Sequence, residues 1–167
     1  MKTYIFLYQE VSLFEIDLVA YFFKTKGDVY IVTEGDEVIH TNEGIRVMAD
    51  KKLGEISNED IDVLVICGGY TENIKDMGAV QELIQECNVE KKVIGGICAG
   101  SEIVANALNL NSNVDKTIVS DERVVLSPGN EYVDFALTLG KVAKIYDGEE
   151  DYQETVNYFK HFHYLQE

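Results

Sequence analysis

Val93-Ile94-Gly95-Gly96-Ile97-Cys98-Ala99-Gly100-Ser101 is the stretch that decides the fold. An apolar run over Lys92 to Ile97 reads as a buried strand. It ends directly on a cysteine, and a helical pattern reaching about Leu108 begins at once. Gly95, Gly96 and Gly100 let neighbouring backbone come close and permit a sharp turn. Strand, nucleophile-type residue and helix in immediate succession describe a nucleophile elbow with Cys in place of Ser. Such a turn presents its side chain at the carboxyl edge of a sheet, where open α/β sheets bind ligands. It also sets the sulfur at a helix N-terminus, whose partial positive charge favours a thiolate. The Ala99 amide would then point toward an oxyanion formed beside Cys98. The same pattern also suits a buried cysteine at a tight strand–helix turn.

Outward from this turn, strands and helices alternate. Thr3 to Tyr8 is an apolar strand, and Leu13 to Lys26 carries Leu13, Ile16, Val19, Ala20 and Phe23 at helical spacing before Gly27. Asp28 to Thr33 is a second strand, and Val38 to Met48 forms a hairpin-like excursion around Asn42-Glu43-Gly44. Asp62 to Cys67 is a third strand, followed by Gly68-Gly69. Ala79 to Cys87 is a helix with Val80, Leu83, Ile84 and Cys87 on one face. Thr117 to Val119 and Arg123 to Leu126 are short strands. Tyr132 to Tyr146 and Asp151 to Leu165 close the chain as helices, separated by the acidic Asp147-Gly148-Glu149-Glu150-Asp151. Near-continuous apolar strands between helices predict an α/β fold: a single domain over residues 1–167, with a mostly parallel central sheet, helices on both faces and a C-terminal helical extension at about 149–167. If the strand Val63 to Cys67 lies beside the one ending at Cys98, the Gly69 amide could complete an oxyanion hole. An ordinary glycine-rich loop would look the same.

Composition excludes several classes. With 14 basic and 30 acidic residues among 167, the net charge of −16 opposes nucleic-acid and anionic membrane partners. An apolar content of 46% excludes a disordered chain, and no apolar run reaches the roughly 20 residues of a membrane span. Gln9 and Glu10 break the first apolar run, so it reads as a strand and not a signal peptide, and the protein is expected to be cytoplasmic. Three cysteines make no disulfide framework. Cys67 and Cys87 lie on apolar faces and read as packing residues. His161 and His163, two apart on a helix, face different ways, so no metal site is expected, and no motif calls for a cofactor.

These stretches together resemble the ThiJ/PfpI superfamily, relatives of the class I glutamine amidotransferases and of the Parkinsonism-associated deglycase. The resemblance runs through Val11 to Val19, Asp28 to Thr33, Gly44 to Asp50, Asp62 to Tyr70, Ile97 to Gly100 and Ser127 to Leu137. It implies a flavodoxin-like, glutamine amidotransferase-like fold with Cys98 as nucleophile or redox-sensitive thiol and Gly69 and Ala99 as amide donors. It also implies an acid against the sulfur. Asp17 is expected in that role in preference to Glu15, because the family's acid stands just before a Leu-Val pair, as in Asp17-Leu18-Val19. A protonated carboxyl there would donate a hydrogen bond to the thiolate and lower its pKa. The family His is not evident: Ala99 follows Cys98, and none of His40, His161 and His163 falls between Cys98 and Pro128, a stretch shorter than usual. The implied function is action on a small electrophilic substrate, of hydrolase, hydratase or glyoxalase/deglycase type. The alternatives are a non-catalytic oxidative-stress sensor or ligand-binding protein using Cys98, and a stand-alone regulator-type ligand-binding domain. A homodimer is the expected assembly.

Overall fold

The computed structural model describes residues 1–163. Nine strands form in chain order: β1 (Lys2–Phe6), β2 (Asp28–Thr33), β3 (Val38–His40), β4 (Arg46–Met48), β5 (Lys51–Lys52), β6 (Val63–Ile66), β7 (Val93–Ile97), β8 (Ile118–Ser120) and β9 (Val124–Ser127). Five helices accompany them: α1 (Asp17–Lys24), α2 (Met77–Val89), α3 (Ala99–Leu108), α4 (Tyr132–Val142) and α5 (Glu149–His161). Seven strands make one sheet in the order β5-β2-β1-β6-β7-β9-β8, and β3 pairs with β4 in a separate hairpin. Every pairing in the large sheet is parallel except β8 with β9.

The apolar strands are explained by cover on both faces. Helices α1 and α4 pack together, as do α2 and α3. Two adjacent glycines of β7 show the two faces directly. A Cβ on Gly95 would meet Phe135 and Leu139 of α4 at 3.0 Å, whereas one on Gly96 would meet the backbone of α3 at Gly100 and Ser101. Alternate residues of a strand face opposite ways, so the pair lets one helix press onto each side of the central strand. Ile5, Val65, Ile94 and Leu126, one from each of four neighbouring strands, are fully buried.

Several elements differ from the sequence expectation. The helix expected over Tyr132 to Tyr146 stops at Val142, and Lys144 takes the left-handed conformation (φ 59°). The helix expected over Leu13 to Lys26 is divided: Leu13–Glu15 is a 3₁₀ turn, Ile16 departs from helical geometry, and α1 starts at Asp17. The break turns Glu15 inward, and it is a buried carboxylate. The two-residue β5 was not foreseen, because Lys51-Lys52 carries no strand pattern; its register on Val32 and Thr33 comes from tertiary pairing. The last helix ends at His161, with Phe162 in the left-handed conformation (φ 56°); Tyr164 and Leu165 of the expected helix lie outside the described residues. The acidic break does separate the last two helices. Glu149, Glu150 and Asp151 occupy the first turn of α5, where the helix dipole favours negative charge. That helix docks on the domain through Phe159, edge-on to Phe22 at 4.9 Å, and Tyr152, edge-on to Tyr146 at 5.1 Å.

Parallel pairing of β6 with β7, and of β7 with β9, brings three carboxyl ends together. The segments leaving them, Cys67-Gly68-Gly69, Cys98 and Pro128-Gly129, therefore meet at one edge of the sheet.

Candidate functional site

Cys98 stands at this edge as the single residue between β7 and α3. Its backbone is held at φ 55°, ψ −126°, a conformation that costs a residue with a Cβ about 1–3 kcal/mol. The surroundings enforce it. The Cys98 N–H donates to Ser127 O at 2.8 Å, and the Cys98 carbonyl accepts from Ser101 N–H at 3.0 Å. Cys98 is exposed, whereas Cys67 and Cys87 are buried. Burial pushes the thiols of Cys67 and Cys87 up, that of Cys87 to about 12.

The carboxyl beside the sulfur belongs to Glu15, not Asp17. Glu15 Oε2 accepts the Gly68 N–H at 3.1 Å, and the Glu15 carboxyl lies close enough to the Cys98 thiol for each to shift the other's pKa. Asp17, two residues on, is exposed, and its carboxyl is shifted by burial and by Glu43 and not by Cys98. The reason is the break at Ile16. It lets the 3₁₀ residue Glu15 project into the sheet edge, while Asp17 begins the helix proper with its side chain outward. Sequence spacing within one continuous helix could not show this.

Two glycines make room for the pair. A Cβ on Gly68 would collide with Glu15 Oε2 and lie 2.5 Å from Cys98 Cβ. A Cβ on Gly129 would come within 2.7 Å of Glu15 Oε1 and 3.2 Å of Cys98 Sγ. The adjacency of β6 and β7 that Gly69 requires is present, but Gly68 is the residue that touches Cys98. Gly69 (φ 147°) faces Glu10 and Val11 and forms an isolated antiparallel bridge with Val11. The Ala99 N–H works to lower the Cys98 pKa, against the larger effects of burial and of Glu15.

The two acids influence one another. Burial raises the Glu15 carboxyl above its ordinary value, and the Glu43 charge adds to the rise, against the hydrogen bonds to Cys98 and Gly68. Burial also raises the Cys98 thiol, and a charged Glu15 raises it further, followed by Glu102. Two acids in contact at a half-buried site do not both ionise readily, so they titrate as a pair holding one proton between them.

Glu43, in the loop between β3 and β4, holds the turn that carries Glu15. Its Oε1 accepts the Phe14 N–H at 3.2 Å, and hydrogen bonds from Thr41 and from the backbone at Phe14 and Leu13 lower its pKa. The sequence gives no sign of this role, because the contact spans the gap between a hairpin loop and a helix start.

A cleft of about 430 Å³ opens over Cys98. Its walls include Ala99, Ser101 and Glu102 of α3, the loop residues Ser112 and Asn113, and Ser127 at the end of β9. Ser101 is buried, and its Oγ has no hydrogen-bond partner among the described residues. No histidine lines the cleft. His40 is on the hairpin, and His161 and His163 are at the far end of the chain, their rings 6.1 Å apart. Among the described residues no three His, Cys, Asp or Glu side chains gather as a metal site, and no helix is long and apolar enough to cross a membrane.

The family model for DJ-1/PfpI matches residues 1–134. The chain belongs to the DJ-1/PfpI family. Its fold is shared by solved DJ-1-type structures at low identity. A DJ-1 superfamily protein from Agrobacterium tumefaciens, Atu0886, aligns with a TM-score of 0.81 and 19% identity over 98% of this chain and 100% of that one. Toxoplasma gondii DJ-1 in an oxidised form gives 0.77 and 20%, covering 94% and 96%. Drosophila melanogaster DJ-1beta gives 0.74 and 22%, covering 93% and 95%. No curated protein sequence matches. This DJ-1/PfpI chain carries α3, β8 and β9 between Cys98 and Pro128, and the loop joining α3 to β8 supplies cleft residues where no histidine stands.

Proposed function

We propose that this DJ-1/PfpI protein uses Cys98 as a reactive thiolate on a small electrophile bound in the cleft, with Glu15 as the partner acid. The observation that carries this reading is the Glu15 carboxyl set against a cysteine held in a strained elbow, both packed on Gly68 and Gly129. In the reactive state the pair's proton sits on Glu15. The sulfur then accepts from both the Glu15 carboxyl and the Ala99 N–H, while the other carboxyl oxygen keeps its bond from Gly68. Attack forms a bond from sulfur to the electrophilic carbon and moves an electron pair onto the attached oxygen or nitrogen. The amide of Ala99 is the proposed donor to that charge, and Glu15 delivers the proton that neutralises it. The reading covers hydrolysis, hydration and glyoxal removal alike. It carries with it a homodimeric assembly and a cytoplasmic setting, the first checked by sedimentation.

The second reading is oxidation sensing. It is favoured by the exposure of Cys98 beside two buried thiols and, by analogy, by the oxidised state of the Toxoplasma structure. Here the thiolate attacks peroxide, the O–O bond breaks, and sulfenate then sulfinate forms while peroxide is reduced to water. Mild peroxide followed by intact mass, and turnover of methylglyoxal, isocyanides and small amides, are compared for the wild type, Cys98→Ser and Glu15→Gln. Turnover dependent on Cys98 supports the enzyme. Rapid oxidation at Cys98 without turnover supports the sensor. Reaction at Cys98 no faster than at Cys67 and Cys87 overturns both.

A further inference from the structure

Apart from Cys98 itself, the only ionisable side chain in the cleft wall among the described residues is Glu102, and Glu15 packs against the sulfur. No Lys or Arg lines the cleft among the described residues. The remaining wall is Ser, Asn, Val, Pro and Gly, together with Ala99. Glu102 sits in the first turn of α3, one turn from Cys98, and its charge is felt at the sulfur. The whole chain carries −16, so the long-range field has the same sign as the local one. The other polar groups of the wall carry no charge, and the buried Ser101 Oγ has no hydrogen-bond partner among the described residues.

From this wall chemistry we infer that the cleft selects uncharged or cationic electrophiles and rejects anionic ones such as carboxylates and phosphates. The inference rests on Cys98 being the reactive residue. A unit negative charge brought beside Glu102 meets repulsion that, at the dielectric of a half-open site, slows its approach on the order of tenfold. Salt weakens this repulsion because Glu102 is exposed.

The test alkylates the full-length protein with iodoacetamide or iodoacetate at equal concentration. In each case the thiolate displaces iodide and forms an S–C bond. The rate at the Cys98 peptide is read by mass spectrometry, and the same peptide in urea-unfolded protein supplies the reference ratio. The expected result is an acetamide-to-acetate ratio about tenfold higher in the folded protein. That excess should shrink in high salt and in Glu102→Gln. (2-Bromoethyl)trimethylammonium, a cation, should show the opposite bias. A folded ratio equal to the unfolded one, with Cys98 still the fastest cysteine, overturns the selectivity and leaves the reactive cysteine standing. Uniform slowness at Cys98 with all three reagents overturns the proposed function, and the selectivity with it.

Discussion

Replacing Glu15 by Leu should raise the pH at which Cys98 ionises. Glu15 can act on the sulfur in two opposite ways. As a carboxylate it repels a thiolate and accepts from the thiol, which is how its charge raises Cys98. As a carboxylic acid it donates to the thiolate and stabilises it. The proposed function requires the second form, and the rise in the Glu15 pKa through burial favours it. A hydrogen bond to a charged group contributes about 1.5–3 kcal/mol. At about 1.4 kcal/mol per unit, Leu should move the Cys98 pKa up by roughly one to two units. Iodoacetamide rates at the Cys98 peptide, followed from pH 5 to 10, give that pKa directly. Near pH 7 the Leu variant should react on the order of 10- to 100-fold more slowly. Glu15→Gln, which keeps a donor toward sulfur and an acceptor for Gly68, should fall between Leu and wild type. Circular dichroism confirms that each variant is folded. A pKa that drops in both variants would refute the reasoning, since it would show Glu15 to be a carboxylate that suppresses the thiolate.

Glu15→Gln should also stabilise the protein, in a pH-dependent way. The Glu15 carboxyl is raised on folding above its ordinary 4.5. Between those two values the folded state holds a proton that the unfolded state has released, so wild-type stability falls as pH rises through the interval. The gain in melting temperature from Gln should therefore be absent at pH 3.5 and grow until the folded carboxyl has ionised; a gain largest at pH 3.5 would contradict this. Cys98→Gly should stabilise the fold by about 1 kcal/mol or more, because glycine adopts φ 55° without penalty and the exposed cysteine gives up little burial. Urea melts measure it, and a destabilised Gly variant would argue against strain at the elbow. Gly68→Ala places a methyl on Glu15 Oε2 and against Cys98 Cβ. It should displace the carboxyl and cut Cys98 reactivity about as far as Glu15→Leu, with the sheet intact by circular dichroism.

The sheet was legible because its strands are short apolar runs, such as Val63 to Ile66 and Val93 to Ile97, and both of their faces are buried. The elbow was legible for a different reason. Gly95-Gly96 before Cys98 and Gly100 after it leave few ways to pass from strand to helix, and the structure takes the expected one. The site acid was not legible. Glu15 and Asp17 share an acidic, amphipathic stretch whose periodicity runs unbroken across Ile16, and choosing between them depends on where the helix starts. That start is set from outside the stretch. Glu43, on the hairpin loop, accepts the N–H groups of Leu13 and Phe14, and Gly68, at the end of β6, accepts Glu15 as a neighbour. Both contacts are long-range in sequence, and no local pattern carries them. The glycine expected beside the sulfur was Gly69; Gly69 bridges Val11 instead, and a Cβ on Gly68 is the one that would meet Cys98.

A net charge of −16 first reads as a handicap for a thiolate, and among the described residues no Lys or Arg lines the cleft over Cys98 to offset it. The geometry gives acidic neighbours two opposed effects. Glu102 and a charged Glu15 raise the thiol pKa directly. Glu43 acts one step back: it faces Glu15, and its charge makes the Glu15 carboxyl hold its proton more tightly. A protonated Glu15 contributes no negative charge at the sulfur and offers it a hydrogen bond instead. Surrounding acidity thus favours the very form of Glu15 that supports a thiolate, so long as the nearest acid, and not the thiol, keeps the shared proton. Under the proposed function, sulfur reactivity depends less on the total charge than on the order of the acids around Cys98. Glu15 touches it, Glu43 stands behind Glu15, and Glu102 waits at the rim of the cleft, where its charge bears on what enters.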